Sequence, residues 1–303
     1  MKFTAELTLV PYASPKATSA GRIASLARAV EDAGFDAIGF NDHPVPSRKW
    51  LDAGGHEAFD PFVALGFCAA VTTRLRLMPF LVVVPYRNPY QLAKAVASVD
   101  ILSDGRLIVC AGTGYLRSEF NTLGVDFDER NPLFDAALET LATVWSNEDD
   151  SSTYGPKDRV SRPMALQRPH PPIWIGGNSR LARERVARIG TGWAPLYASQ
   201  VLSQTTRTPA MDSADLLRDA IDDLRGLVVA AGRDPSDVTV QLTAGTELQD
   251  AIASADSGPL LEQLEHLESL GVDQVSIHFP VEDSTRAEDT VGRLGADVIS
   301  QAR

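Results

Sequence analysis

An α/β architecture built as one (β/α)8 barrel is predicted for this 303-residue chain by three observations. An amphipathic helix, a glycine and a short apolar strand recur in that order along the sequence. About eight strands can be counted, with helices separating them. No early glycine fingerprint of the kind that marks a doubly wound dinucleotide-binding sheet is present. Alternating strands and helices favour a parallel sheet, and eight units in roughly 300 residues suit a closed TIM barrel.

The elements follow in order. A first strand is expected at 7–10. Ile23, Leu26, Ala27 and Val30 fall at helical spacing, Gly34 follows, and Ala37-Ile38-Gly39-Phe40 lies in a strand at 36–40. Asp60-Pro61, Asn88-Pro89 and Asn131-Pro132 each set a capping side chain before a proline of preset φ. They open helices near 60–73, 89–103 and 131–146, with strands at 75–84 and 106–111 between them. After a strand at 172–176, Ala182, Val186 and Ile189 lead to Gly190 and a strand at 192–196. Ala230 and Ala231 lead to Gly232 and a strand at 237–242; Leu264 and Leu267 lead to Gly271 and a strand at 273–279. A last helix covers about 284–301. Each helix-ending glycine is expected in the left-handed conformation that turns the chain back to the sheet. Two polar stretches, about 147–171 and 197–211, break the rhythm and read as insertion loops over a pocket. No boundary divides the chain, so residues 1–303 read as a single domain.

Composition narrows the function classes. Twenty-eight Lys and Arg against 40 Asp and Glu give a net charge of −12. Non-specific nucleic-acid or anionic-membrane binding needs a dense basic face, which this balance opposes. Residues 77–84, the longest strongly apolar run, are too few to span a bilayer. The opening residues run directly into a strand-like segment without a signal-peptide pattern, so a cytoplasmic location is expected. Cys68 and Cys110 lie in apolar runs and read as reduced core thiols.

In a barrel, chemistry gathers at the C-terminal ends of the strands. Those ends supply Asn41-Asp42-His43, residues 84–88, Gly112-Thr113-Gly114-Tyr115, Gly176-Gly177-Asn178-Ser179 and His278-Phe279-Pro280. Of five histidines, His43 alone follows a strand beside a carboxylate, and imidazole suits proton transfer at neutral pH. Asp42 could orient His43 or cap its own turn. Gly112-Thr113-Gly114 would let a flat ligand approach bare backbone, or could mark a β-bulge. Gly176-Gly177-Asn178 opens a helix whose free N–H groups suit a phosphate. No His-X-His, His-Glu-X-X-His or Cys-X-X-Cys occurs, so no metal site is expected. The chain also lacks a Gly-X-Ser-X-Gly elbow, and none of its lysines falls where a Schiff-base aldolase would need one.

These signals occur in a recognisable succession. Ala33-Gly34-Phe35-Asp36 precedes Asn41-Asp42-His43; Pro85-Tyr86-Arg87-Asn88-Pro89 follows; Leu102-Ser103-Asp104-Gly105-Arg106-Leu107 runs into Gly112-Thr113-Gly114-Tyr115. Glu119-Phe120, Leu123-Gly124 and Pro171-Pro172-Ile173-Trp174-Ile175-Gly176-Gly177 complete the series. The chain resembles the luciferase-like monooxygenase superfamily, and within it the branch that uses the deazaflavin coenzyme F420. The likeness is best over residues 20–200 and looser to the end.

The resemblance implies a TIM barrel with a flavin or deazaflavin ring across the strand C-termini. It implies that Phe80, Leu81 and Val82 back the ring, in a stretch that often holds a non-proline cis peptide in the family. Gly112, Thr113, Gly114 and Ser118 would approach the cofactor, and Gly176, Gly177 and Asn178 would bind its phosphate. His43 matches a histidine placed over the ring, where it gives or takes a proton, and Asp42 matches a position touching the cofactor. Tyr115 and Trp50 are expected at the substrate pocket. Relatives that oxidise a sugar phosphate carry glutamate where this chain has Tyr115 and tryptophan where it has Ser47, so glucose 6-phosphate is not the expected substrate. Thr191 stands where many relatives have aspartate.

Three functions are thereby in play. The preferred one is an F420-dependent oxidoreductase moving a hydride between the deazaflavin and a small organic substrate. The second is a reduced-FMN, O2-dependent monooxygenase fed by a flavin reductase. The third is a flavin-binding barrel without turnover. A homodimer is expected by analogy with relatives.

Overall fold

The computed structural model describes residues 1–146, 161–254, 256–282 and 285–301. Its strands are β1 (Lys2–Leu9), β2 (Ala37–Phe40), β3 (Arg76–Pro79), β4 (Val82–Val83), β5 (Val109–Gly112), β6 (Ile173–Gly176), β7 (Gly192–Ala194), β8 (Thr239–Thr243) and β9 (Gln274–Val281). Among the described residues these form one parallel sheet in the order β3-β2-β1-β9-β8-β7-β6-β5-β4. β3 and β4 are the two halves of the strand expected at 75–84, parted at a cis peptide bond between Phe80 and Leu81. Leu77 N–H donates to Arg106 O at 3.0 Å and Ile108 N–H to Leu77 O at 2.9 Å, which joins the two edges. Nine segments thus make the eight staves of a (β/α)8 barrel.

Between the strands run α1 (Ala20–Asp32), α2 (Arg48–Asp52), α3 (Pro61–Val71), α4 (Pro89–Leu102), α5 (Arg117–Leu123), α6 (Arg130–Ser146), α7 (Arg180–Ile189), α8 (Gln200–Thr206) and α9 (Ala214–Ala230). α10 (Thr246–Ala253), α11 (Gly258–Ser269) and α12 (Arg286–Leu294) complete the ring, followed by a π-turn at Gly295–Ile299. The expected caps act at two of the three Asx-Pro starts: Asp60 accepts from Phe62 and Val63 N–H, and Asn88 from Tyr90 N–H. At the third, the helix starts one residue earlier, at Arg130, and the Asn131 amide oxygen accepts from Arg185 at 3.1 Å.

Side-chain alternation sorts each strand between two apolar layers. Phe3, Ala5 and Leu7 of β1 pack outward with the helices, as do Leu77, Val109, Ile173 and Ile175. Met78, Phe80, Ile108, Cys110, Trp174 and Ala194 fill the barrel interior. Both cysteines are buried and unpaired; burial pushes the Cys68 thiol up to about 12 and raises Cys110.

Three expectations change. β1 starts at Lys2, well before residue 7; residues 2–9 alternate polar and apolar throughout, so the strand pattern covers the whole span. Gly34, Gly232 and Gly271 are left-handed, but Gly190 has φ −80°; a Cβ there would lie 2.9 Å from Val186 Cα, so close approach is what requires glycine. The 197–211 stretch is no plain loop. It holds α8, capped by Ser199, and is closed by an antiparallel bridge between Ala198 and Met211. Of the other insertion, residues 147–160 lie outside the described residues; 161–171 are tied down where Asp100 accepts from Leu166 N–H at 2.7 Å and Gln167 N–H at 2.9 Å. No helix among the described residues is long and apolar enough to cross a membrane.

Candidate active site

The C-terminal mouth of the barrel opens into a cavity of about 450 Å³, within the usual size of a cofactor or small-molecule site. Its floor is the break between β3 and β4. Phe80 and Leu81 line it, while Val82 is fully buried in the outer layer and Val83 returns to the cavity. The two residues after β2 bracket this floor. Asn41 Nδ2 donates to Phe80 O at 3.0 Å and to Glu6 Oε1 at 2.7 Å. Asp42 Oδ2 accepts from Val83 N–H at 2.8 Å, and both Asp42 oxygens accept from the Arg87 guanidinium. Asp42 is thereby committed to the backbone and to Arg87.

Glu119, on α5, orients His43 instead. It is fully buried, and its Oε2 accepts from His43 Nδ1 and from the Tyr86 hydroxyl, each at 3.0 Å. Its Oε1 accepts from Val45 N–H at 3.1 Å. A carboxylate on Nδ1 sets the tautomer and leaves Nε2 as the nitrogen able to exchange a proton with a bound molecule. No spacing rule links positions 43 and 119; Glu119 entered the sequence reading only within the family stretch.

Aromatic rings box His43 in. Trp50 lies 4.7 Å away centroid to centroid, His56 4.9 Å and Tyr115 5.8 Å. Ser47, at the position where some relatives carry tryptophan, is the N-cap of α2 and accepts from Trp50 N–H at 3.2 Å. The short helix thus carries Trp50 onto His43 from three residues further on. Burial and the nearby His43 lower the His56 pKa to about 4, so this ring is neutral at ordinary pH. Its Nδ1 contacts Glu57 O, a pure acceptor, which assigns Nδ1 as the protonated nitrogen. Burial alone would raise the Glu6 pKa, but the His278 and Asn41 hydrogen bonds outweigh it, and the pKa lies below the usual carboxylate value.

Gly112 and Gly176 seat Leu81: a Cβ on either would lie 2.3 or 2.4 Å from a Leu81 methyl carbon. Thr113 and Gly114 line the cavity as well. Gly177 is left-handed, with φ +102°, but its N–H donates to Ala194 O, and Asn178 N–H donates to Thr208 Oγ1 at 2.8 Å. Asn178 is buried, and its side chain clamps the 196–209 segment through Leu196 and Pro209. Positive charge at this end is supplied by side chains, Arg130 and Arg207, which line the cavity and which the strand-end rule did not select. Ser118 is exposed on α5, and Trp50 meets the site through His43 and His56. Among the described residues no His, Cys, Asp and Glu cluster is arranged to hold a metal ion. An apolar floor with a cationic rim fits a planar ring bearing an anionic chain.

Comparison with known proteins gives the same family. Residues 4–264 match luciferase-like monooxygenases. An F420-dependent glucose-6-phosphate dehydrogenase of Intrasporangium calvum is 26% identical over 333 aligned positions, covering 90% of this chain and 92% of that protein. The FMNH2-dependent dimethylsulfone monooxygenase of Pseudomonas putida is 32% identical over 127 positions, 40% of this chain and 34% of that protein. A monooxygenase from Streptomyces bottropensis has the same fold, with a TM-score of 0.76 at 22% identity over the whole of both chains.

Proposed function

Because the chain belongs to the luciferase-like monooxygenase family, we propose that it is an F420-dependent oxidoreductase acting on a small organic substrate. The observation that carries this reading is His43, held by Glu119 at 3.0 Å beside the Phe80–Leu81 floor. When bound, the deazaflavin supplies the hydride-transfer chemistry at C5. The protein's own part is to hold and exclude. Phe80 and Leu81 support the ring, the Trp50, His56 and Tyr115 rings wall off water, and His43 Nε2 gives or takes the proton that accompanies the hydride. Asp42 acts through Arg87 and the Val83 amide by fixing the floor.

The test is a fluorescence titration of the protein with oxidised F420 and, separately, with FMN. Tight F420 binding with weak FMN binding is expected. His43→Ala should then lower turnover roughly 10²–10⁴-fold with F420 still bound. Near-normal turnover in that variant removes His43 from the mechanism. The dimethylsulfone monooxygenase relative supports a second reading, a reduced-FMN monooxygenase served by a reductase. Tight FMN binding with an O2 requirement would establish it in place of the first. Binding without turnover across a broad substrate panel would leave a non-catalytic barrel.

A further inference from the structure

A chain of net charge −12 gathers cations at one side of its cavity. Arg117 from α5, Arg130 at the start of α6 and Arg207 just after α8 converge on one ring. Their guanidinium carbons lie 4.3, 4.0 and 5.2 Å from the Phe127 centroid. Arg117 is neutralised by a forked pair with Asp128, at 2.8 and 3.2 Å. Arg185, also at the cavity, is held the same way by Asp135. Arg130 and Arg207 differ. Arg130 donates to the uncharged Phe127 carbonyl at 2.9 Å, and among the described residues no carboxylate lies within ion-pair distance of Arg130 or Arg207.

Burial and then repulsion from Arg207 lower the Arg130 pKa, and Asp128 offsets only part of this. Two guanidiniums over one ring, only partly offset by Asp128, repel each other, and cation–π attraction recovers little at an exposed site. Two backbone amides of the neighbouring turn are meanwhile engaged within the protein, by Ala194 O and Thr208 Oγ1. The anion-binding capacity here therefore belongs to the forked side chains, which suit carboxylate and phosphate oxygens. Arg130 and Arg207 sit on the β5–β7 side of the mouth, and His43 follows β2 across the barrel.

We propose that Arg130 and Arg207 form a site for an extended polyanionic tail, a phosphodiester followed by carboxylates, on a ligand whose ring lies at His43. The inference rests on the F420 reading, since that coenzyme carries a phosphodiester and linked glutamates whereas FMN ends in one phosphate. The experiment is a fluorescence titration of the full chain at low and high salt. The ligands are F420 with its glutamate tail, the phosphodiester form without glutamates, and the tail-less deazaflavin. The proteins are wild type, Arg207→Ala and Arg130→Ala.

Wild type should bind tailed F420 more tightly than the tail-less ring, by about tenfold for each arginine engaged, and salt should erode that advantage. Arg207→Ala removes an exposed side chain from the rim. It should lose about tenfold toward tailed F420 and nothing toward the tail-less ring. Equal wild-type affinity for all three ligands overturns the inference and leaves the cofactor reading standing. An advantage already complete with the phosphodiester form overturns the extended tail in favour of a phosphate site alone. Loss of tail-less binding in both variants overturns it as a structural effect. Binding of FMN but of no deazaflavin removes the cofactor reading and this inference together.

Discussion

Glu119 Oε2 accepts a hydrogen bond from His43 Nδ1 at 3.0 Å across 76 positions of sequence. It also accepts from Tyr86 Oη, while Oε1 accepts from Val45 N–H, so three donors converge on one fully buried carboxylate. Glu119→Gln keeps the shape but turns one oxygen into a donor, leaving at least one of the three unmatched. The expected loss is about 1–3 kcal/mol of stability and on the order of 10²-fold in turnover. Nitrogen NMR of His43 should show mixed tautomers in place of one. Unchanged turnover with unchanged His43 nitrogen shifts would refute the positioning role.

Gly112 and Gly176 make room for Leu81, not directly for a ligand. Their hypothetical Cβ atoms fall 2.3 and 2.4 Å from the Leu81 methyl carbons, the far end of a flexible side chain. Gly112→Ala should therefore fold, at a cost of about 1–3 kcal/mol, with Leu81 displaced from its seat. Deazaflavin affinity should fall at least about tenfold, and Leu81→Ala in the same chain should recover much of the lost stability by relieving the clash. Absence of that rescue would mean the glycine matters for another reason.

His56 offers a pH signature. Its pKa falls from 6.5 in the unfolded chain to about 4 in the fold, through burial and then the nearby His43. A proton is then bound by the unfolded state before the folded one. The contribution is fully present above pH about 6.5 and is lost as pH falls toward about 4, with a slope of at most about 1.4 kcal/mol per pH unit. Urea unfolding of wild type and His56→Phe at pH 7 and pH 5 should show a smaller pH dependence in the variant. Parallel curves would count against the buried neutral imidazole.

Asp100 is fully buried and accepts from Leu166 N–H, Gln167 N–H and Gln167 Nε2, the last at 2.6 Å. Asp100→Ala strands these donors. A loss of roughly 3 kcal/mol is expected in urea unfolding, with increased protease cutting near residues 161–168. A loss below about 0.5 kcal/mol would show that water replaces the carboxylate without penalty.

The barrel was legible because its signals are local. Helix caps at Asp60 and Asn88, left-handed glycines at 34, 232 and 271, and apolar outward residues each report on a few neighbouring positions. The start of β1 is written just as locally, since residues 2–9 alternate polar and apolar, although the strand was expected only from residue 7. What the alternation does not show is that Thr4 and Glu6 point into the barrel, where Gln241 and Asn41 receive them.

By itself the sequence determined the repeating helix–glycine–strand order, the residues at the strand ends, and the histidine at position 43 as the candidate for proton transfer. Tertiary structure decided the pairings. It gave His43 to Glu119 and not to the adjacent Asp42, sent Asp42 to Arg87, brought Trp50 onto His43 from a short helix capped at Ser47, and closed two turn amides with Ala194 O and Thr208 Oγ1. The reason is physical. Backbone propensity acts over a few residues, whereas a hydrogen bond between buried side chains depends on where closure of the barrel sets distant strand ends, and no residue spacing encodes that distance.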